Sequence, residues 1–197
     1  MPAIRRFASP LFAPAFALLA LSSLAGCDES NQSFFAPACP ALDIPGSAAD
    51  QFVYDGKSAD IGSLVSHAQI TSLSGDCERG PEGPHGHQTV RTRLSLAMNL
   101  TRGPAATSNT IDVPYFIVIM RDGKIVDKKV FTDTFRFPPN VSTQSVRTDL
   151  RLIDLPATDN MAQENPYTLE IGYQLTHGEL GYNREHLSPV AFHSHTQ

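Results

Sequence analysis

The residues best suited to chemistry in this chain are two histidine pairs. His85-Gly86-His87 closes a glycine-proline loop, and His193-Ser194-His195 lies near the C-terminus. In an extended chain, side chains two positions apart project to the same face, so each pair suits Zn²⁺ or Cu²⁺. A complete site needs three or four ligands, and the pairs supply them only if the fold joins His85, His87, His193 and His195. Metal binding or delivery is therefore the alternative function, and no resident cofactor is expected. Enzyme motifs are missing: there is no Gly-x-Ser-x-Gly elbow, no His-Glu-x-x-His and no phosphate-cradling glycine loop. The expected function is non-catalytic. Tyr182-Asn183-Arg184 combines an aromatic ring with a planar guanidinium, the residue types that dominate interaction hot spots. It is the candidate interaction segment. The competing reading has Tyr182 packing over the edge of the domain, Asn183 capping a turn and Arg184 pairing with an acid.

These residues are exported before they act. Arg5 and Arg6, an apolar run over residues 11–21 broken by Pro14, and a closing Leu24-Ala25-Gly26-Cys27 with small Ala25 and Gly26 follow the order of an export signal. The run is too short to span a bilayer, which takes about 20 apolar residues. Leu24-Ala25-Gly26-Cys27 resembles the lipobox of bacterial lipoproteins. That resemblance implies cleavage after residue 26, diacylglyceryl on the Cys27 sulfur and Cys27 as the new N-terminus. Two or more acyl chains, at about 0.8 kcal/mol per buried CH₂, give a stable anchor where one does not. Asp28 is similar to an inner-membrane retention signal of enteric bacteria, and both inner and outer membrane remain as destinations. The expected setting is the cell envelope, with the domain in the periplasm.

Loss of residues 1–26 removes Arg5 and Arg6, so the mature chain is two charges more acidic than the −5 of the full sequence. An acidic chain without a basic cluster argues against nucleic acid and against a polybasic contact with lipid head groups. With Cys27 assigned to lipid, Cys39 and Cys77 are left as a pair in an oxidising compartment. They are too far apart for a thioredoxin-type motif or a zinc knuckle. A structural disulfide is expected, worth about 4 kcal/mol in the chain-entropy model.

The elements that must position these residues read as strands. Residues 87–100 alternate, with Val90, Leu94, Leu96, Met98 and Leu100 against Arg91, Arg93, Ser95 and Asn99. Residues 167–175 repeat the pattern, and 145–152 do so through Val146, Leu150 and Leu152. Residues 113–120 are apolar on both parities, as in a central strand, with Pro114 expected to stop pairing where it stands. Asp122-Gly123 predicts a hairpin into an arm that ends at Pro138-Pro139. On that arm Phe131, Phe135 and Phe137 share a parity and are expected in the core. Residues 51–54 and 64–73 are further strands, and 177–186 a short helix or turn. About seven short strands with Pro/Gly turns predict a single antiparallel β-sandwich, immunoglobulin-like or fibronectin-III-like. The absence of Trp argues against an antibody-type domain.

Arg102-Gly103-Pro104-Ala105-Ala106, Val113-Pro114-Tyr115-Phe116, Lys129-Val130-Phe131, Phe135-Arg136-Phe137-Pro138 and the closing Gly172-Tyr173-Gln174-Leu175-Thr176 with Leu180 and Tyr182-Asn183-Arg184 resemble a group of uncharacterised alphaproteobacterial envelope lipoproteins. The resemblance implies a small β-rich envelope domain and no activity. The expected organisation is a signal peptide (1–26), a lipidated flexible tether (27–38), the sandwich (39–184) and a disordered tail (185–197). The expected role is binding or assembly with an envelope protein or wall component, anchored in the membrane by lipid.

Overall fold

The computed structural model describes residues 36–187 and 192–193. Ten strands and one helix follow in order: β1 (Ala41–Ile44), β2 (Asp50–Tyr54), β3 (Leu64–Arg79), β4 (Thr89–Arg102), β5 (Thr110–Arg121), β6 (Lys124–Arg136), β7 (Thr143–Arg147), β8 (Arg151–Pro156), β9 (Tyr167–Tyr173), α1 (His177–His186) and β10 (Phe192–His193). Two sheets pack face to face. The first has the order β10-β1-β9-β5-β6. The second runs β2-β3-β4, and along the far side of β4 lie β7, opposite Ala97–Thr101, and β8, opposite Thr89–Leu94.

Alternation builds the core as the sequence predicts. Leu94, Leu96, Met98 and Leu100 of β4 face Val113, Tyr115 and Ile117 of β5 and Leu169, Ile171 and Tyr173 of β9, all fully buried. The Asp122-Gly123 turn takes φ of +52° and +71°, the two left-handed positions of a two-residue hairpin, and Arg121 pairs with Lys124. Phe137 is buried, with Phe131 and Phe135 packed against the same core. Cys39, just before β1, is disulfide-bonded to Cys77 in β3 with Cα atoms 5.5 Å apart. The bond ties the entry to the first sheet to the second.

Three expectations need correction. The sandwich is not wholly antiparallel, because β1 runs parallel to β9. Parallel neighbours need a long connection, and here nearly the whole chain lies between the two. Residues 145–152 are not one strand. Thr148 leaves the ladder while holding Leu96 twice, through its own N–H to the Leu96 carbonyl (2.9 Å) and from the Leu96 N–H to its hydroxyl (3.0 Å). The break shifts the parity, so Ile153 and Leu155 go inward while Leu150 and Leu152 are exposed. Finally, Pro114 stays in register opposite Thr132. Its carbonyl accepts from the Gln174 N–H (2.9 Å), so its ring nitrogen also points toward β9, beyond that strand's end, and no β6 bond is lost.

Pro37 is buried and Ala38 is docked, its N–H on the Met161 carbonyl (2.7 Å) and its carbonyl on the Asn165 amide (3.0 Å). In the segment read as a tail, Glu185 and His186 complete α1, and Phe192–His193 pairs with β1.

Candidate functional site

The two lateral sides of the sandwich are built differently. On one side, β10 covers β1, and α1 packs beside β2. Gly172 permits part of this closure: a Cβ there would lie 2.6 Å from that of Ala48, in the turn that α1 contacts. On the other side β6 and the β7–β8 edge end their sheets without a paired neighbour among the described residues.

A polar bolt joins these two open edges. Because the break at Thr148 resets the parity, Arg151 enters β8 pointing inward. Its Nε donates to the Tyr115 hydroxyl (2.7 Å), and a terminal nitrogen donates to the Asp133 carboxylate. The Tyr115 hydroxyl in turn donates to Asp133 (3.1 Å), and the guanidinium lies 4.8 Å from the centre of the Phe131 ring. Burial pushes the Tyr115 hydroxyl above the usual phenol range, against the opposing pull of Arg151. Burial also disfavours the Arg151 cation, but Tyr115 and Asp133 outweigh it and raise that group above its ordinary value. Every member of the triad has partners, so its chemistry is structural: it holds β6 and β8 together across the seam.

Beyond the bolt, β6 is free. All residues from Lys124 to Val130 are exposed, although β5 pairs along their length. Ile125, Val126 and Val130 are 68%, 55% and 54% accessible, and across the seam Leu150 and Leu152 are 58% and 49% accessible. The direction of the Pro114 carbonyl fixes the polarity of the ladder. Residues of β5 such as 114, 116, 118 and 120 address β9, so their opposites on β6, Thr132, Val130, Lys128 and Ile125, turn their N–H and C=O groups outward. A bulge near Val126 brings Ile125 into this set. The Lys128 N–H is met locally by the Asp127 carboxylate (2.8 Å), which also pairs with Lys129 Nζ (3.1 Å). Lys129 and that N–H hold the Asp127 carboxyl below the usual range. Lys128 Nζ lies 4.7 Å from the centre of the Phe116 ring. Exposed apolar side chains beside free backbone groups are the physical requirements for adding a strand.

The residues singled out by sequence fall elsewhere. His85 and His87 are exposed at the β3–β4 turn, where His85 takes φ of +61°. The chain is not extended there, so the same-face argument for this pair does not hold. His193 is opposite Asp43 in the β1–β10 pair, while His195 and Cys27 lie outside the described residues. Among the described residues no three His, Cys, Asp or Glu side chains are grouped to hold a metal. Asn183 is buried, and its amide donates to the carbonyls of Ser47 (3.0 Å) and Asp50 (2.7 Å). The Tyr182 ring lies 4.3 Å from His186, 5.6 Å from Phe52 and 6.1 Å from Tyr54. Both side chains fasten α1 to β2, and Arg184 alone of the three is exposed. The same cluster contains a dyad that the sequence reading missed: His67 Nε2 lies 2.8 Å from Asp50 Oδ1, with the imidazole stacked on Phe52 at 4.1 Å.

The β6 edge was also missed, though its signal is present. Lys124, Asp127, Lys128 and Lys129 place charge on both parities of a strand after a hairpin turn, so neither face of that half can be buried. At the sandwich end near the same turn, Arg121, Thr158, Asp159, Asn160, Glu164 and Tyr167 line a pocket of about 380 Å³. No helix among the described residues is long and apolar enough to cross a membrane. No family model matches this chain, and neither a curated protein nor a solved structure matches it.

Proposed function

We propose that this is a lipid-anchored cell-envelope protein whose sandwich, of immunoglobulin-like or fibronectin-III-like type, is a non-catalytic binding or assembly module. Acyl chains on Cys27 hold it to the membrane, and the domain acts in the periplasm on an envelope protein or wall component. The lipobox-like residues 24–27 support the anchor. The observation that carries the binding role is the outer half of β6: seven consecutive exposed residues with an open backbone edge and exposed Ile125, Val126 and Val130. The Arg151 bolt clamps the inner half of the strand, so the free half is presented on a rigid base. A partner strand adding there gains backbone hydrogen bonds, with the alternate side chains supplying selectivity.

Two measurements test the reading. Intact mass of the protein extracted from membranes should show cleavage before Cys27 with added acyl chains; an unacylated mass removes the anchor. A photo-cross-linking residue at Val130 should capture an envelope component in cells, while the same residue at exposed Ile61, in a loop before β3, should not. Equal capture at both positions, or none at Val130, rules out β6 as the working surface.

A further inference from the structure

We propose that the strand received by the β6 edge is β6 of a second copy, which makes this face the two-fold interface of a homodimer. The inference rests on β6 being the working surface and names its occupant. The argument is one of self-complementarity. Ile125, Lys128 and Val130 turn their backbone groups to the open edge, with Val126 in the bulge between the first two. An antiparallel copy centred on Lys128 therefore pairs Lys128 with Lys128 of the second copy, both with outward N–H and C=O groups. In the same register Val130 meets Ile125 of the second copy, again outward to outward, when the bulge is retained. Between them Lys129 meets Asp127 of the second copy.

Each of these flanking pairs occurs twice by symmetry, giving two Val–Ile contacts and two Lys–Asp contacts. Backbone polarity, side-chain face and charge sign all agree at once, and directly opposed apolar or oppositely charged residues are the favourable cross-strand pairs. The one like-charged pair is at the centre, where each Lys128 ammonium lies over the Phe116 ring of its own copy. Asp127 is the guard of the edge in the single copy, since it caps the Lys128 N–H and binds Lys129. On pairing, that N–H passes to the Lys128 carbonyl of the second copy and the carboxylate to its Lys129, so no charged or polar group is stranded. Beyond Thr134 the edge closes, because the Gln144 amide bonds the Arg136 carbonyl (3.3 Å).

Cysteine cross-linking in the full mature protein, extracted in detergent, tests the register. Hydrogen-bonded antiparallel partners have Cα atoms about 5.5 Å apart, inside the span of about 4.4–6.8 Å that a disulfide bridges. Lys128→Cys should therefore give a covalent dimer on mild oxidation. Thr134→Cys, whose copies lie far apart in this register, should stay monomeric, as should the native sequence. Val130→Pro removes an N–H that points away from β5, so it should spare the fold and abolish the Lys128→Cys cross-link. If the proline variant fails to fold, Val130→Arg makes the same test through the Val–Ile contact. A Lys128→Cys protein that stays monomeric overturns the second copy as occupant, and photo-capture of another component at Val130 would then still support strand addition. Cross-linking of Thr134→Cys as readily as Lys128→Cys overturns the register.

Discussion

Replacing Arg151 by Met tests whether the seam between β6 and β8 is held by charge. The side chains of Arg151 and Asp133 are only 20% and 12% accessible, so neither is well served by water. Methionine keeps much of the aliphatic volume but leaves the Asp133 carboxylate with the Tyr115 hydroxyl alone. Breaking a buried pair by removing one partner costs about 3–5 kcal/mol. Residual solvent access lowers that, while the lost contact with the Phe131 ring adds about 0.5–1 kcal/mol. An expected loss of about 3 kcal/mol corresponds to a fall in Tm of about 6–12 °C for a domain of this size. Replacing Asp133 by Leu as well removes the stranded charge, so the double variant should recover about 2 kcal/mol of the loss. The assay is denaturant unfolding of all four members of the cycle, with the disulfide oxidised. If Arg151→Met costs under about 0.5 kcal/mol, or the double variant loses the sum of the two singles, the bolt is not what closes the seam.

Three other outcomes follow from the same structure. Asn183→Ala removes the amide that the half-buried carbonyls of Ser47 and Asp50 accept from and should cost about 1–3 kcal/mol, read as faster hydrogen exchange in α1 and β2. Tyr54 has its pKa pushed up to about 12 by its hydrogen bond to Tyr182, with burial adding to it. A phenol raised in the folded state favours folding below the ordinary value near 10 and loses that contribution as pH rises to about 12. Stability should therefore fall through that alkaline window, and Tyr182→Phe should bring the Tyr54 titration back down in a phenolate absorbance scan. Replacing Cys39 and Cys77 together by Ser should cost about 2–5 kcal/mol, seen as a lower unfolding midpoint; no change on substitution or reduction would mean the bond is not formed in the folded protein.

Much of the fold was legible because a half-buried strand writes its two faces as alternation. Residues 89–100 and 167–173 obeyed that rule, and Asp122-Gly123 marked the turn of the β5–β6 hairpin. The same rule misled at 145–152, where an interruption of the strand after Arg147 inverts the parity and turns Arg151 inward. Periodicity within a short window carries no information about a break in its middle; the later pair Ile153 and Leu155 was the only local sign. The β1–β9 parallel pair was invisible for a different reason. It joins the first strand to the ninth, and no local pattern reports which distant strand a short strand will meet. At the sites, Tyr182-Asn183-Arg184 was chosen by residue type, whereas its environment makes two of the three packing groups. Residue type sets what a side chain is able to do, and burial decides whether it is free to do it.

The same separation governs β6, whose two halves obey different constraints. From Phe131 onward its inward side chains are Phe131, Asp133 and Phe135, held by the core and by Arg151. From Lys124 to Val130 the side chains are exposed and make only surface contacts, Lys128 over Phe116 and Asp127 with Lys129, while β5 pairs the backbone. Substitutions in the first half should therefore lower stability and leave association unchanged once the protein folds. Substitutions in the second should do the reverse. Asp127→Asn sharpens the distinction, because the carboxylate serves different partners in the two states. In the single copy its loss removes an exposed pair with Lys129 and weakens one N–H cap, so the unfolding midpoint should hardly move. Across the two-fold it removes both Lys–Asp contacts, so the dimer should weaken and lose much of its sensitivity to salt. An equal fall in stability and association would mean that the outer half of β6 is part of the fold and not a surface presented by it.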